Sequence, residues 1–222
     1  MKRFSIVVSV VLNISVLVAV IGIWWGSAKL FRSLLHPFLS EAGVSFFEEY
    51  PIRPADVVFL GDSITAGGQW SEMFDGIPVR NRGIGGDRTD DVLERLDQIT
   101  RGEPRKIFLL IGTNDLGTDL PQDEILANYE GILARLSEDS PDSLVYVQSV
   151  LPRGSDYSDR IAALNSALAD LAQRRGLQYV ELFQSFLSDD DSIVDELTYD
   201  ELHLTGAGYR LWQKLLEPYV RS

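Results

Sequence analysis

Asp56-Val57-Val58-Phe59-Leu60-Gly61-Asp62-Ser63-Ile64-Thr65 is the stretch from which the fold can be read. Four consecutive apolar residues between an aspartate and a glycine have the pattern of a short strand buried on both faces. Gly61 then permits a sharp turn, and the polar residues after it stand where an open parallel sheet binds its ligands, beyond the carboxyl end of a strand.

The same unit recurs downstream. Strand patterns at 56–60, 77–81, 106–111, 143–150 and 177–182 alternate with helical ones, which predicts an α/β fold, a three-layer α/β/α domain on a five-stranded parallel sheet with right-handed crossovers. Ile125, Tyr129, Ile132, Leu133 and Leu136 mark one face of a helix over 122–137, and Ile161, Leu164, Leu168 and Leu171 one over 158–175. Helices at 90–99 and 206–220 complete the set, with Thr89 and Thr205 as expected N-caps.

Upstream of the sheet, Lys2-Arg3 precede residues 6–25, twenty residues without a charge and with only Ser9, Asn13 and Ser15 as polar interruptions. A helix of that length rises about 30 Å, the thickness of a bilayer's hydrocarbon core. The expected organisation is a membrane anchor over 1–28, a juxtamembrane linker over 29–54 and a catalytic domain over 55–222. Placing the N-terminus inside makes this a single-pass membrane protein with its catalytic domain on the extracytoplasmic side. Secretion after signal-peptide cleavage near Gly26-Ser27-Ala28 is the competing reading. In the linker, Leu30, Phe31, Leu34, Leu35, Phe38 and Leu39 recur at helical spacing up to and past Pro37. Two outcomes are open there: a helix packed on the domain, or one lying on lipid. His36 reads as a structural or interfacial histidine.

Composition removes several chemistries. Cysteine is absent, so thiolate catalysis, disulfides and Cys-ligated zinc are excluded. A net charge of -13 opposes nucleic-acid binding and broad adsorption to anionic lipid, leaving hydrophobic contact as the route to a membrane.

Three strand ends carry candidate chemistry: Gly61-Asp62-Ser63, Asn81-Arg82-Gly83-Ile84-Gly85-Gly86, and Gly112-Thr113-Asn114-Asp115. A serine hydroxyl needs a base and exposure to attack an ester, and the oxyanion that forms needs preorganised donors. Gly83, through a closely approaching N–H, and Asn114, through its amide, are suited to that task. His203 is the only histidine in the predicted domain, and Asp200 three residues before it can orient the ring. Asp62, Asp87 and Asp115 read as network residues, the Asp189-Asp190-Asp191 run as a solvated loop, and Trp70 and Phe74 as core residues or the lining of an acyl pocket. No Gly-x-Ser-x-Gly pentapeptide is present.

Taken in order, Gly61-Asp62-Ser63, Asn81 to Asp87, Gly112-Thr113-Asn114-Asp115 and Asp200-Glu201-Leu202-His203 resemble the four sequence blocks of the SGNH, or GDSL, hydrolases. The second block, running on to Leu96, looks most like the branch that contains the platelet-activating-factor acetylhydrolase catalytic subunits. The resemblance spans about 57–219. It implies a flavodoxin-like fold, no cofactor and no metal, and ester hydrolysis through an acyl-serine. Ser63 would be nucleophile, His203 base and then acid, and Asp200 its orienter, with the Ser63 and Gly83 N–H groups and the Asn114 side chain as oxyanion hole. Expected substrates are short-chain O-acyl esters, acetyl above all, of glycans or lysophospholipid-like lipids. Acyl transfer on the same site and a non-catalytic membrane-tethered binding module are the alternatives.

Overall fold

The structure, a computed structural model, describes residues 32–222. The expected anchor lies outside the described residues, among which no helix is long and apolar enough to cross a membrane. In chain order the elements are α1 (His36–Glu49), β1 (Val57–Gly61), α2 (Ser63–Ala66), α3 (Trp70–Met73), β2 (Val79–Gly83), α4 (Thr89–Glu94), α5 (Asp97–Thr100) and β3 (Lys106–Leu110). There follow α6 (Thr113–Gly117), α7 (Gln122–Asp139), β4 (Leu144–Gln148), α8 (Ser158–Arg174), β5 (Gln178–Val180), α9 (Phe183–Phe186) and α10 (Gly206–Arg221).

All neighbouring strands are parallel and the sheet order is β2-β1-β3-β4-β5, the flavodoxin-like order. Side chains alternate across the sheet, so β1, β3 and β4 each feed two cores. Val58, Leu60, Ile107, Leu109, Val145 and Val147 meet the apolar faces of α4, α7 and α8. Val57, Phe59, Phe108, Leu110 and Tyr146 meet α3 and α10 on the other side. There Phe59 pairs in register with Phe108, and Phe108 with Tyr146, giving an aromatic ladder with ring separations of 5.2 and 4.5 Å. Trp70 stacks on Phe59 at 3.8 Å and Phe74 is fully buried beside it, so both belong to the core, and no acyl pocket is built from them.

Three expectations shift. The second strand begins at Val79, not residue 77, because the Ile77 N–H turns back to Phe74 O and Pro78 has only a carbonyl to offer, which the Val57 N–H takes. The helix expected over 90–99 divides into α4 and α5 where the chain tightens around Arg95 and Leu96. Thr89 is the first residue of α4 and not its cap; its hydroxyl donates to Asp115 Oδ1 at 2.6 Å, while Asp91 Oδ2 accepts the Arg88 N–H at 2.8 Å. Thr205 does cap α10, accepting the Gly208 N–H at 3.3 Å.

Residues of the expected linker form α1, which packs on the domain: Phe47 is buried, with the Arg82 guanidinium over its ring at 4.5 Å. At the far end of the sheet, Lys106 reaches the carboxyl end of α10, donating to Tyr219 O at 2.6 Å and Ser222 O at 2.7 Å. A buried cation there satisfies carbonyls that the last helical turn leaves open. Replacing Lys106 by Met is expected to lower unfolding free energy by about 1–3 kcal/mol, read as a shift of the urea midpoint at constant slope.

Candidate active site

The carboxyl ends of β1, β2 and β3 and the loop before α10 converge on Ser63. Gly61 has to be glycine: a Cβ there would stand 2.1 Å from Leu110 O. After it, Asp62 caps α2 by accepting the Ile64 N–H at 2.9 Å, which sets Ser63 at the first position of a short helical turn, partly exposed. His203 Nε2 lies 2.9 Å from Ser63 Oγ, and His203 Nδ1 lies 2.7 Å from Asp200 Oδ2.

The Asp200-Glu201-Leu202-His203 turn explains how a three-residue spacing achieves this. Asp200 Oδ1 accepts the N–H groups of Leu202 and His203, at 3.2 and 2.7 Å, while Glu201 adopts φ 62°, a left-handed conformation unusual for a residue with a side chain. One carboxylate thus folds the turn with one oxygen and holds the imidazole with the other. Burial works against ionisation of Asp200, but the hydrogen bonds from the His203 ring and backbone outweigh it and hold its pKa below the ordinary carboxylate range. Thr198 Oγ1 donates to His203 O at 2.8 Å, and the Tyr199 ring stacks beside the imidazole at 6.0 Å. With ionised Asp200 on Nδ1, the tautomer that carries its proton there leaves Nε2 free to accept the serine proton.

The second strand end corrects the expected oxyanion hole. The Gly83 N–H donates to Asn81 Oδ1 at 2.9 Å, so it is occupied and does not face a substrate. Gly83 is instead a packing residue: a Cβ there would lie 2.2 Å from Ala66 N and 2.7 Å from Asp62 O, within the nucleophile turn. The glycines beyond it form a turn closed by the Asp87 N–H on Ile84 O at 3.2 Å, with Gly86 at φ 85°. Its central Gly86 N–H makes no hydrogen bond among the described residues, and Gly85 adjoins Ser63, a Cβ on it standing 4.0 Å from Ser63 Cβ. Gly86 is thus the better-placed backbone donor. The sequence carried a signal for it, a Gly-Gly pair that suits a positive φ before an aspartate.

Asn114 is the second residue of α6, whose N-cap Gly112 takes φ 124°. One of its Nδ2 hydrogens donates to Asp87 O at 2.9 Å, leaving the second available. Asp87 in turn has one carboxylate oxygen 2.9 Å from His36 Nε2 and the other accepting from Arg95 Nε at 2.8 Å. His36, 51 positions away in sequence, is therefore a member of the site's supporting network that spacing could not reveal. Asp115 accepts the N–H and hydroxyl of Thr89. Asp190 accepts from Ser188 and Ser192 within its own exposed loop. His36, Asp87 and Asp91 could geometrically share a cation, yet Arg32 and Arg95 already sit on these carboxylates, which leaves no net negative charge for a metal.

Three buried carboxylates stand close together here. Desolvation, opposed by the Ile64 N–H and reinforced by the charges of Asp87 and Asp115, pushes Asp62 up from 3.8 to about 7. A carboxyl raised on folding contributes stability that is complete below its unfolded pKa and lost as pH rises through the folded one. The stability of the native chain relative to Asp62→Asn is therefore expected to fall between about pH 4.5 and about pH 8. Urea midpoints of both proteins across that range test this; a constant difference would refute the assignment.

Comparison with known proteins agrees with this fold. Residues 59–211 match the GDSL-like Lipase/Acylhydrolase family. The alpha2 subunit of platelet-activating factor acetylhydrolase IB from Rattus norvegicus is 31% identical over 167 residues, covering 71% of this chain and 72% of that one. A solved structure from Streptococcus pneumonia, named for platelet activating factor, superposes with TM-score 0.78 at 30% identity, covering 87% of this chain and 98% of its own. A GDSL-like lipase from Bacteroides thetaiotaomicron shares the fold with TM-score 0.74 at 21% identity, covering 82% and 97%. A chain that carries the four blocks, the fold and the Ser63–His203–Asp200 contacts belongs to the GDSL-like lipase/acylhydrolase family and is a carboxylic ester hydrolase of that type.

Proposed function

We propose that the chain hydrolyses short-chain O-acyl esters, acetyl esters first, through an acyl-serine on Ser63. The observation that carries this reading is the unbroken path from Ser63 Oγ through His203 to Asp200, each step within 3 Å. His203 Nε2 takes the hydroxyl proton as Oγ bonds to the substrate carbonyl carbon, and the carbonyl π electrons move to oxygen. The Ser63 and Gly86 N–H groups and the free Asn114 hydrogen stabilise that oxyanion. Collapse breaks the ester C–O bond, and the leaving alkoxide takes the proton from His203. Water then repeats the sequence on the acyl-serine, its proton passing through His203 back to Ser63 Oγ.

The name of the rat relative, an acetylhydrolase of platelet-activating factor, supports the short acyl group and a phospholipid-like body; acetylated glycans remain the other substrate class. The apolar sequence 6–25 supports a single-pass tether with the domain on the extracytoplasmic side.

Ser63→Ala is expected to abolish both p-nitrophenyl acetate hydrolysis and labelling by a fluorophosphonate probe; retention of full activity would remove Ser63 from its role. Asp200→Asn should cost about 10,000-fold in kcat through the wrong imidazole tautomer. His36 is a positioning residue for the Gly85-Gly86 turn, acting through Asp87. His36→Ala is expected to lower kcat about tenfold with KM changed less than about twofold, because misplaced donors cost most in the transition state. His36→Gln, which can still donate to Asp87, should recover most of that loss, and a glutamine variant no better than alanine would exclude the role.

A further inference from the structure

Eight large apolar side chains are exposed among the described residues, and six of them, Leu34, Leu35, Phe38, Leu39, Phe46 and Tyr50, fall on or immediately beside α1. Scattered exposed apolar residues need no explanation, whereas a concentration on one element does. The opposite face of α1 is fully committed to the domain: His36 reaches Asp87, Phe47 lies under Arg82, and Gly43 packs on Ile84, where a Cβ would stand 2.9 Å from Cδ1. The apolar face is therefore held outward by a fixed helix.

That face runs up to the catalytic mouth. Leu39 Cδ1 lies 3.4 Å from the Cβ position of Gly85, and the same position is 4.0 Å from Ser63 Cβ. Beside His203 stands Tyr199, 71% exposed. Exposed apolar groups thus adjoin both the serine and the histidine. The cavity of about 540 Å³ lined by Ala55, Gly76, Pro78 and Arg105 lies at the amino ends of the strands, away from this chemistry.

Charge and chain length indicate what covers the face. Within α1, Glu41, Glu48 and Glu49 are acidic and no Lys or Arg occurs, so attraction to anionic lipid is absent and insertion would be hydrophobic. Six residues, 26–31, separate the uncharged stretch 6–25 from Arg32, a connection no longer than about 25 Å even when extended. We propose that the outer face of α1 lies in the headgroup boundary of a zwitterionic bilayer, with Phe38 and Leu39 among the acyl chains, and that Ser63 draws a lipid ester from that interface. This rests on the tether and acyl-serine reading above and deepens it: the substrate is a membrane lipid carrying a short acyl ester, and not a soluble glycan.

Because cysteine is absent, a single Cys introduced by Phe38→Cys or Leu144→Cys takes an environment-sensitive fluorophore at one known place. In full-length protein reconstituted in phosphatidylcholine vesicles, lipids spin-labelled on the acyl chain should quench the probe at position 38 and leave that at position 144, on an exposed strand end, unaffected. Equal quenching at both positions overturns the proposal. Absence of lipid quenching with protein-density-dependent self-quenching at position 38 also overturns it, in favour of a second copy of the chain. Protein that fails to sediment with vesicles overturns the tether itself, independently of Ser63 activity on dispersed p-nitrophenyl acetate. Phe38→Ser should lower hydrolysis of a vesicle-embedded acetyl-ester lipid about tenfold more than that of the dispersed ester, the effect of withdrawing one large apolar group from contact. Equal losses on the two substrates would refute the interfacial route.

Discussion

The Asp87 carboxylate is the constraint on which the catalytic geometry depends. It is fully buried, and burial pushes its pKa up against the pull of Arg95 and His36. Each of its polar atoms is committed: one carboxylate oxygen to His36, the other to Arg95, the carbonyl to Asn114 and the N–H to Ile84 O. Arg95 extends the same frame by donating to Gly61 O and Arg82 O, the last residue of β1 and the penultimate one of β2. A charge removed from water without such partners would cost several kcal/mol, so the turn that carries Gly86 can occupy only the arrangement in which all of them are met. The rigidity that oxyanion stabilisation requires is thus a by-product of solvating one carboxylate inside the protein.

Backbone demands select the remaining residues around it. Parallel strands deliver three chain ends to one edge, but they can approach only where side chains are missing, as the near contacts at Gly61 and Gly83 show. Once the glycines allow that approach, side chains two or three residues away decide which backbone groups stay free. Asn81 takes the Gly83 N–H with its oxygen and holds Ala66 O and Gly68 O with its amide, tying β2 to the nucleophile helix. Asp62 takes the Ile64 N–H. Among the described residues, the Gly86 N–H and one hydrogen of Asn114 are then left unpaired on this side of Ser63.

Consecutive apolar runs and helical patterns were sufficient for the sheet, because β1 and β3 at its centre are buried on both faces and the long helices α7 and α8 each bury one. They failed locally where a non-periodic interaction overrode them, as at Pro78 and at Arg95, whose side chain turns inward to a buried charge. For the site, Ser63, Asn114, Asp200 and His203 were legible because each sits at a strand end or before the last helix and because histidine is scarce. Gly83 was misread since a glycine in a motif announces close approach without saying which N–H survives its neighbours. His36 was illegible for a different reason: its partner is brought to it by the docking of α1, a tertiary event with no trace in local spacing.

The two histidines show how environment divides one chemistry into two tasks. His203 is partly exposed, flanked by a carboxylate held ionised and by a serine hydroxyl, so a proton can arrive and leave through substrate. His36 is buried, 2.9 Å from Asp87 and 3.7 Å from Asp91, so its bond serves to fasten. Fastening is what α1 requires, since its outer face gives nothing to the core and would otherwise favour leaving it. The energy that keeps α1 in place comes from Phe47 beneath Arg82 and from the His36 and Arg32 contacts with Asp87 and Asp91, at the residues that shape the oxyanion turn. A force acting on α1 from its exposed side reaches that turn through the buried His36–Asp87 hydrogen bond, the Arg32–Asp91 ion pair and the packing of Gly43 on Ile84 and of Leu39 beside Gly85.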